Sequence, residues 1–303
     1  MPLTDILIWT TSLIRLKSMQ YVTKLYCDKS SHEFLDKWHL RQLYDIIDDE
    51  FYEQDKEKIE SVDSRYFWST RKIEAMHHEL ELGNDSIYSD TDIIMRKPFD
   101  LSGDFLCWCP EEGSIENNSI YVPWRNLSKP LGYMMPKWML ETKDAYNGGI
   151  WWFKNKDVYE EYRTEYYRFA VNNPCKIKHT NRDDVSDLIT NNNVWACNGE
   201  QRVLKAVLDH NNQEVKFIMD ERKKGWSKDA VHFFHYRIAW RYLHDKVYDP
   251  APDALPMLNL TIKECMLTVK AYNKSLHDFW LQYFSDYEKI DAKNKIWPIQ
   301  EYI

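Results

Sequence analysis

Short apolar runs alternate with amphipathic segments along most of this sequence, and this alternation limits the choice of fold more than any other feature. The strand candidates are residues 23–28, 86–89, 105–109, 120–122, 150–153, 215–219 and 230–234. Apolar residues spaced by three or four predict helices over residues 5–20, 31–38, 64–82 and 156–171. A further helix is predicted to begin at Asn198, whose side chain can cap its first turn. Such alternation is typical of an α/β sandwich, and we expect its sheet to be largely parallel.

The end of the chain has a different pattern. Apolar residues at helical spacing continue over about residues 258–283 and predict one long amphipathic helix. We therefore expect residues 1–250 to form the main domain and residues 251–303 to form a helical extension packed on it. Residues 172–194 are polar and rich in asparagine, so we expect them to form a loop.

Composition limits the class of partner. The chain has 303 residues and a formal net charge of −8, whereas a protein that binds long nucleic acids needs a clustered basic face. We therefore expect no nucleic-acid partner. The 13 tryptophans and 20 tyrosines supply material for a core and also suit a surface that stacks on sugar or base rings.

The cysteines and the apolar start of the chain bear on its cellular location. None of the 6 cysteines has the CxxC spacing of a zinc or redox site, so we expect reduced cysteines in the core. The apolar residues 6–9 are followed by Thr10, Thr11 and Ser12, and the run is much too short to span a bilayer. We expect a cytoplasmic protein with at most peripheral membrane contact.

The run Asp90-Thr91-Asp92 has the composition of a metal site. It directly follows the strand candidate at residues 86–89 and precedes an apolar run. Open α/β sheets bind ligands beyond the carboxyl ends of their strands. In an extended segment, residues two apart point to the same side, so Asp90 and Asp92 can converge on one hard cation. The sequence therefore predicts a divalent metal site at Asp90 and Asp92.

Residues 87–99 resemble the DXD segment of GT-A glycosyltransferases, and they are especially similar to bacterial polysaccharide-type enzymes. Residues 25–28 are similar to the second strand of that family, and residues 68–73 are similar to a helix that brings a basic residue to the donor. Residues 146–153 are similar to the family's FNxG strand, and residues 198–202 are similar to the start of its EQ helix. The resemblance covers about residues 5–245 in the family's order. It implies a GT-A fold, a Rossmann-like nucleotide-diphospho-sugar transferase sandwich, here with the C-terminal helical extension.

The resemblance assigns roles on the donor side of the site. Lys72 and Arg71 are expected to neutralise the diphosphate or to orient Asp90. The glycines at 148 and 149 leave the backbone open to close ligand approach. The remaining donor-binding candidates are Gly148, Gly149, Gln201 and Arg241.

The catalytic candidates are Glu200, Asn147 and Asp144, among which the sequence does not choose. Glu200 lies just inside the predicted helix start at Asn198, where the helix dipole stabilises an acid. A late histidine is often the third metal ligand in such enzymes, and His235 followed by Arg241 fits better than His232. A mixed carboxylate and imidazole set favours Mn²⁺ somewhat over Mg²⁺.

The implied reaction moves a sugar from a nucleotide-diphosphate sugar to a hydroxyl on a glycan, a lipid-linked molecule or a protein. The resemblance weakly favours retention of configuration. Alternatives are a non-catalytic protein that binds carbohydrate or nucleotide-sugar, and another metal-dependent phospho- or nucleotidyltransferase. The family's first strand has no clear counterpart; residues 6–10 are the candidate for a shortened one.

Overall fold

The computed structural model describes residues 3–63, 67–111, 134–172, 192–219, 229–232 and 254–291. This part of the chain is mixed α/β with small mixed sheets. The chain divides into two compact units. The first unit comprises Met1–Asp49, Thr91–Pro98 and Gly225–Ile303, and the second comprises Glu50–Asp90 and Phe99–Lys224.

The helices and strands of the described residues are numbered in chain order. The helices are α1 (Leu3–Ser18), α2 (His32–Lys37), α3 (Phe51–Gln54), α4 (Lys56–Ile59), α5 (Thr70–Glu81), α6 (Lys137–Glu141), α7 (Lys156–Val171), α8 (Asn192–Cys197), α9 (Val203–His210), α10 (Ala254–Tyr272) and α11 (Lys274–Asp291). The strands are β1 (Lys24–Tyr26), β2 (Ile46–Asp48), β3 (Tyr88–Ser89), β4 (Ile93–Met95), β5 (Phe105–Cys107), β6 (Pro110–Glu111), β7 (Ala145–Tyr146), β8 (Ile150–Phe153), β9 (Val215–Phe217) and β10 (Ala230–His232).

The first unit is built around helix α1, which packs against α10 and strand β4. The apolar residues of α1 face this core, and its buried Thr10 and Thr11 hydroxyls donate to the carbonyls of Ile6 and Leu7, both at 2.9 Å. Those internal bonds satisfy the hydroxyls without breaking the apolar face. Strands β1 and β2 pair in parallel, and β4 pairs antiparallel with β10.

The second unit has a four-stranded sheet in the order β3-β8-β5-β9. Strand β8 runs antiparallel to both of its neighbours, while β5 and β9 are parallel. Helices α5, α7 and α9 pack around it, and β6 pairs antiparallel with β7. Aromatic side chains fill much of this core, including Phe67, Trp151, Phe153, Tyr159, Tyr162, Tyr166, Phe169 and Trp195.

The prediction of a largely parallel sheet is wrong for the described strands. Of the six strand pairings that the structure describes, four are antiparallel: β4–β10, β3–β8, β5–β8 and β6–β7. Apolar periodicity records which residues are buried, but it carries no information on the direction of a neighbouring strand. The α/β class itself is confirmed, whereas the predicted strand at residues 120–122 lies outside the described residues.

Three predictions, of a helix cap, a loop and a shortened strand, also need correction. Asn198 does not cap a helix: its amide donates to the Val194 carbonyl at 2.7 Å, inside a helical segment that already begins at Asn192. Residues 192–194 are therefore helical rather than part of the predicted loop, whose residues 173–191 lie outside the description. Residues 6–10 belong to α1, so they do not form a shortened first strand.

The predicted long C-terminal helix is two helices, α10 and α11, separated at Asn273. The Asn273 side-chain oxygen accepts from the backbone N–H of Leu276 at 3.1 Å, which caps the start of α11. The apolar spacing continues through this break because both helices turn apolar side chains to the core of the first unit. The predicted domain boundary at residue 250 stays a prediction.

Two further sequence expectations concern cysteines and membranes. The described cysteines, Cys27, Cys107, Cys109, Cys197 and Cys265, are free thiols. Burial raises the pKa of the Cys265 thiol to about 12, which disfavours the reactive thiolate. Within the described ranges, every helix is too short or too polar to cross a bilayer.

Candidate functional site

The connection between β7 and β8 is the backbone centre of the candidate site. It consists of Asn147, Gly148 and Gly149, and the Asn147 side-chain oxygen accepts from the Gly149 N–H at 2.9 Å. The Asn147 amide nitrogen donates to the Glu111 carboxylate at 2.8 Å. Both ends of the Asn147 side chain are therefore used within the protein, and they fix the shape of the turn. This geometry gives Asn147 a positioning role.

Lys72 reaches this turn from helix α5. Its ammonium donates to the Gly148 carbonyl at 3.0 Å and forms a close ion pair with the Glu200 carboxylate. The ammonium also lies 4.5 Å from the centroid of the Trp151 ring and 5.0 Å from that of Tyr88. The side chains of Lys72 and Glu200 are only 12% and 5% exposed, so each charge depends on the other for its compensation.

Electrostatics at Lys72 follow from this enclosure. Burial alone would lower the pKa of Lys72, but the negative charges of Glu200 and Asp90 outweigh it and raise the pKa above its ordinary value of 10.5. Lys72 therefore carries its charge at neutral pH. Because that charge is already matched by Glu200, Lys72 is better placed to hold Glu200 than to serve as a free diphosphate ligand.

This raised pKa predicts a pH dependence of stability. When a base is more basic in the folded than in the unfolded state, its stabilisation is fully present below the unfolded pKa and is lost as pH rises through the folded pKa. We expect the stability of the wild type, relative to a Lys72→Met/Glu200→Met variant, to fall above about pH 10.5. Urea denaturation of both proteins at about six pH values between pH 8 and 11.5 measures the difference in their free energies of unfolding. A difference that stays constant over this range would contradict the prediction.

Asp90 lies at the carboxyl end of β3, as the sequence predicts. Its backbone N–H donates to the Gly149 carbonyl at 2.7 Å. The Tyr88 hydroxyl donates to the Asp90 carboxylate at 2.5 Å. The Asp90 side chain is half-buried at this strand end. A half-buried carboxylate held by both its backbone and an outer hydrogen bond fits the kind of ligand that Mn²⁺ or Mg²⁺ takes.

Glu200 lies in a π-helical turn, Asn198–Arg202, between α8 and α9. It is therefore in the middle of a helical segment rather than at a helix start, and the predicted stabilisation of Glu200 by a helix N-terminus is wrong. The Tyr162 hydroxyl donates to the Glu200 carbonyl at 3.2 Å. π-turns occur frequently at functional sites, and this one places Glu200 against Lys72.

Arg202 supports the π-turn and was not among the predicted site residues. Its guanidinium is almost completely buried and donates to the Asn198 side-chain oxygen at 3.3 Å and to the Thr142 carbonyl at 2.8 Å. The signal in the sequence is an arginine next to the apolar run of α9, at a position whose neighbours are core residues. Buried arginines need such partners, so their presence in an apolar helix indicates a specific contact.

Three other predicted site residues of the second unit, Arg71, Asp144 and Gln201, differ in their burial and contacts. Arg71 is exposed and its guanidinium stacks 4.6 Å from the centroid of the Tyr52 ring. Asp144 is half-buried near Tyr146, whose pKa is raised first by burial and then by nearby acids that include Asp144. Gln201 is half-buried in the π-turn.

The other two predicted metal ligands lie in the first unit or outside the described residues. Asp92 belongs to the first unit, whereas Asp90 belongs to the second. His235 and Arg241 lie outside the described residues, and of His232 only the backbone, in β10, is described. The metal prediction for Asp92 and His235 therefore rests on the sequence.

A different group of possible metal ligands lies between helices α5 and α7. His77, Glu81 and Glu160 each offer one ligand atom within 4.8 Å of the others. Lys156 pairs with Glu81 at 2.6 Å, and Arg163 pairs with Glu160 at 3.3 Å. Each carboxylate already has a cationic partner, so we interpret the group as an ion-pair network. Among the described residues, no group of three such ligands includes Asp90 or Asp92.

Comparisons with known proteins find no matching family model, no matching curated protein and no matching solved structure. The function of the chain is therefore inferred from its residues and their geometry.

Proposed function

We propose that this chain is a metal-dependent glycosyltransferase of the GT-A type that moves a sugar from a nucleotide-diphosphate sugar to a hydroxyl acceptor. One observation carries the proposal. Lys72, Asp90, Gly148 and Glu200 come from four separate segments, each of which resembles a motif of the GT-A family, and they lie around one turn in the second unit. A purely structural ion pair between Lys72 and Glu200 would not by itself need all four of these segments at one turn.

The protein's own groups have distinct parts in the proposed reaction. Asp90 would be a ligand of Mn²⁺ or Mg²⁺ in the second unit, and the bound ion would act as a Lewis acid toward the departing diphosphate. The turn at Gly148 allows a ligand to approach the backbone. Glu200 is the strongest of the three catalytic candidates, because its charge is held at the turn by Lys72.

The nature of the partners follows from the proposed reaction. The donor is a nucleotide-sugar, and the acceptor is a hydroxyl on a glycan, a lipid-linked molecule or a protein. The net charge of −8 suits a ligand whose phosphates are met by a bound cation rather than by a basic surface. A cytoplasmic location with at most peripheral membrane contact stays part of the proposal.

Replacing Asp90 with asparagine is expected to abolish metal-dependent donor binding and to leave the fold intact. The measurement is a thermal-shift screen of nucleotide-sugars with and without Mn²⁺. A donor at about 100 times its Kd stabilises the folded state by roughly 2.7 kcal/mol, so a binding wild type shows a clear rise in Tm. Asp90→Asn should show no rise with any donor, while its Tm without ligand stays close to that of the wild type.

The matched control is Asp157→Asn, which makes the same change of charge at an exposed position in the second unit. It should respond to the donor as the wild type does. An Mn²⁺-dependent rise in Tm that Asp90→Asn retains would contradict the proposal. Donor binding without release of a nucleoside diphosphate, in the presence of acceptors, would favour the non-catalytic alternative.

A further inference from the structure

Tyr88 connects the charged groups of the candidate site. Its hydroxyl donates to Asp90 Oδ1 at 2.5 Å, and its ring centroid lies 5.0 Å from the Lys72 ammonium. The same ring lies 5.9 Å from the Trp151 ring, tilted by 48°. Tyr88 is thus held on its aromatic face by a cation and a second ring while its hydroxyl meets the carboxylate.

We propose that Tyr88 is a positioning residue that sets the orientation of the Asp90 carboxylate for a divalent cation. The inference rests on the proposed function, because it needs Asp90 to be a metal ligand. The last torsion of an aspartate side chain is broad, so a carboxylate without an outer partner samples many orientations. A hydrogen bond from a fixed hydroxyl to one oxygen narrows that range.

The strand geometry explains why Tyr88 can do this. Tyr88 and Asp90 are two residues apart at the end of β3, where side chains of that spacing lie on the same side. Asp90 is anchored at its backbone by the Gly149 carbonyl at 2.7 Å, so the Tyr88 hydroxyl acts on the side chain alone. The Lys72 ammonium contacts both the Tyr88 ring and the Gly148 carbonyl, and it thereby holds the tyrosine in place relative to the turn.

The magnitude expected for such a contact is known from metalloproteins in general. Outer hydrogen-bond partners of metal-ligating carboxylates and histidines change metal affinity or activity by about 10–100-fold when they are removed. Tyr88→Phe removes only the hydroxyl and keeps the ring that packs on Lys72 and Trp151. We expect this variant to bind Mn²⁺ about tenfold more weakly than the wild type.

The test is a titration with Mn²⁺ alone, followed by electron paramagnetic resonance of the free ion, on the wild type, Tyr88→Phe and Asp90→Asn. Tyr52→Phe is the control, since it removes a hydroxyl whose bond to Glu60 is exposed and remote from Asp90 in sequence. The Tm of each protein without metal is measured alongside. The expected result is loss of binding in Asp90→Asn, about tenfold weaker binding in Tyr88→Phe, and no change in Tyr52→Phe.

Two results would overturn the inference in distinguishable ways. If Asp90→Asn loses Mn²⁺ but Tyr88→Phe binds it as tightly as the wild type, the positioning role of Tyr88 is wrong and the proposed function stands. If the wild type does not bind Mn²⁺, or if Asp90→Asn binds it unchanged, both the inference and the metal site of the proposed function are wrong. A lower Tm in Tyr88→Phe with unchanged Mn²⁺ affinity would assign Tyr88 a purely structural role.

Discussion

Replacing Lys72 with methionine is expected to lower the free energy of unfolding by about 3–5 kcal/mol, because it leaves the Glu200 carboxylate buried without its counter-charge. The Glu200 side chain is 5% exposed, and Lys72 is its ion-pair partner. Methionine keeps the length of the lysine stem and most of its packing against Trp151. The loss should therefore come from electrostatics rather than from a cavity. Urea denaturation followed by circular dichroism measures it.

A double variant separates the charge from the packing. In Lys72→Met/Glu200→Met both charges are removed and both chain lengths are kept. Replacing a buried ion pair by apolar side chains of similar volume is often neutral or stabilising, so the double variant should recover most of the stability lost by Lys72→Met. If the double variant is as unstable as Lys72→Met, or less stable, the loss in Lys72→Met does not come from an uncompensated Glu200 charge.

The same variants separate stability from function. The double variant should fold but lack the donor-dependent thermal shift, since it loses the Lys72 bond to the Gly148 carbonyl at 3.0 Å, which fixes the turn that the donor is proposed to approach. Lys137→Met is a suitable control, because Lys137 forms an ion pair with Glu141 at 3.7 Å on α6, where the two side chains are 91% and 65% exposed. Its stability should change by less than about 1 kcal/mol, as is typical of surface pairs.

Strand β8 and helix α7 are the part of the fold that local sequence predicts to the residue. All four residues of β8 are buried apolar side chains, and so short a run, preceded by two glycines, fits a fully buried strand. Asn155 then caps α7, with its side-chain oxygen accepting from the Asp157 N–H at 2.9 Å. These signals lie within a few residues of the element they specify, so a single sequence contains them.

The pairing of strands and the π-turn depend on contacts between distant residues. Nothing local to β8 indicates that its neighbours β3 and β5 run antiparallel to it. In the π-turn at residues 198–202, the buried Arg202 donates to the Thr142 carbonyl, which belongs to another segment. Helical periodicity predicts a helix there but cannot reveal the change in hydrogen-bonding pattern.

In the candidate site, too, some features follow from local sequence and others depend on contacts between distant residues. Lys72, Asp90, Gly148 and Glu200 are predicted because each lies in a recognisable motif, whereas the partner of each comes from elsewhere in the chain. The pairing of Lys72 with Glu200 therefore could not be read from the sequence. Tyr88 is different: the period-two alternation of β3 places it on the same side as Asp90, and that signal was present.

Gly148 is the position where a single added carbon should do the most damage to the candidate site. A Cβ at this position would overlap Glu200 Oε1 and would approach Lys72 Nζ to 3.1 Å. The colliding oxygen is at the end of a flexible side chain, but burial and the ion pair with Lys72 prevent it from moving away cheaply. The constraint on Gly148 is therefore steric and depends on Glu200.

The dependence on Glu200 can be tested by introducing Gly148→Ala into a second variant as well as into the wild type. In a Lys72→Met/Glu200→Ala background, the oxygen that meets the new Cβ is absent. Adding Gly148→Ala to this background should therefore lower the free energy of unfolding by only a small part of the loss that it causes in the wild type. Gly199→Ala is the matched control, because its Cβ would approach the rings of Phe169 and Phe67 at 3.0–3.2 Å and would crowd the core without touching the ion pair.

Gly148→Ala is expected to lower the free energy of unfolding by about 1–3 kcal/mol, as overpacking in a dense interior does, and to remove the donor-dependent thermal shift. The shift is lost because moving Glu200 separates it from Lys72 and displaces the turn whose Gly149 carbonyl binds the Asp90 N–H at 2.7 Å. Gly199→Ala should lower stability while retaining the shift. Chemical denaturation and the nucleotide-sugar thermal shift, measured on both variants, check these outcomes. If Gly148→Ala lowers the free energy of unfolding as much in the Lys72→Met/Glu200→Ala background as in the wild type, the collision with Glu200 does not cause the loss of stability. The turn itself then requires glycine.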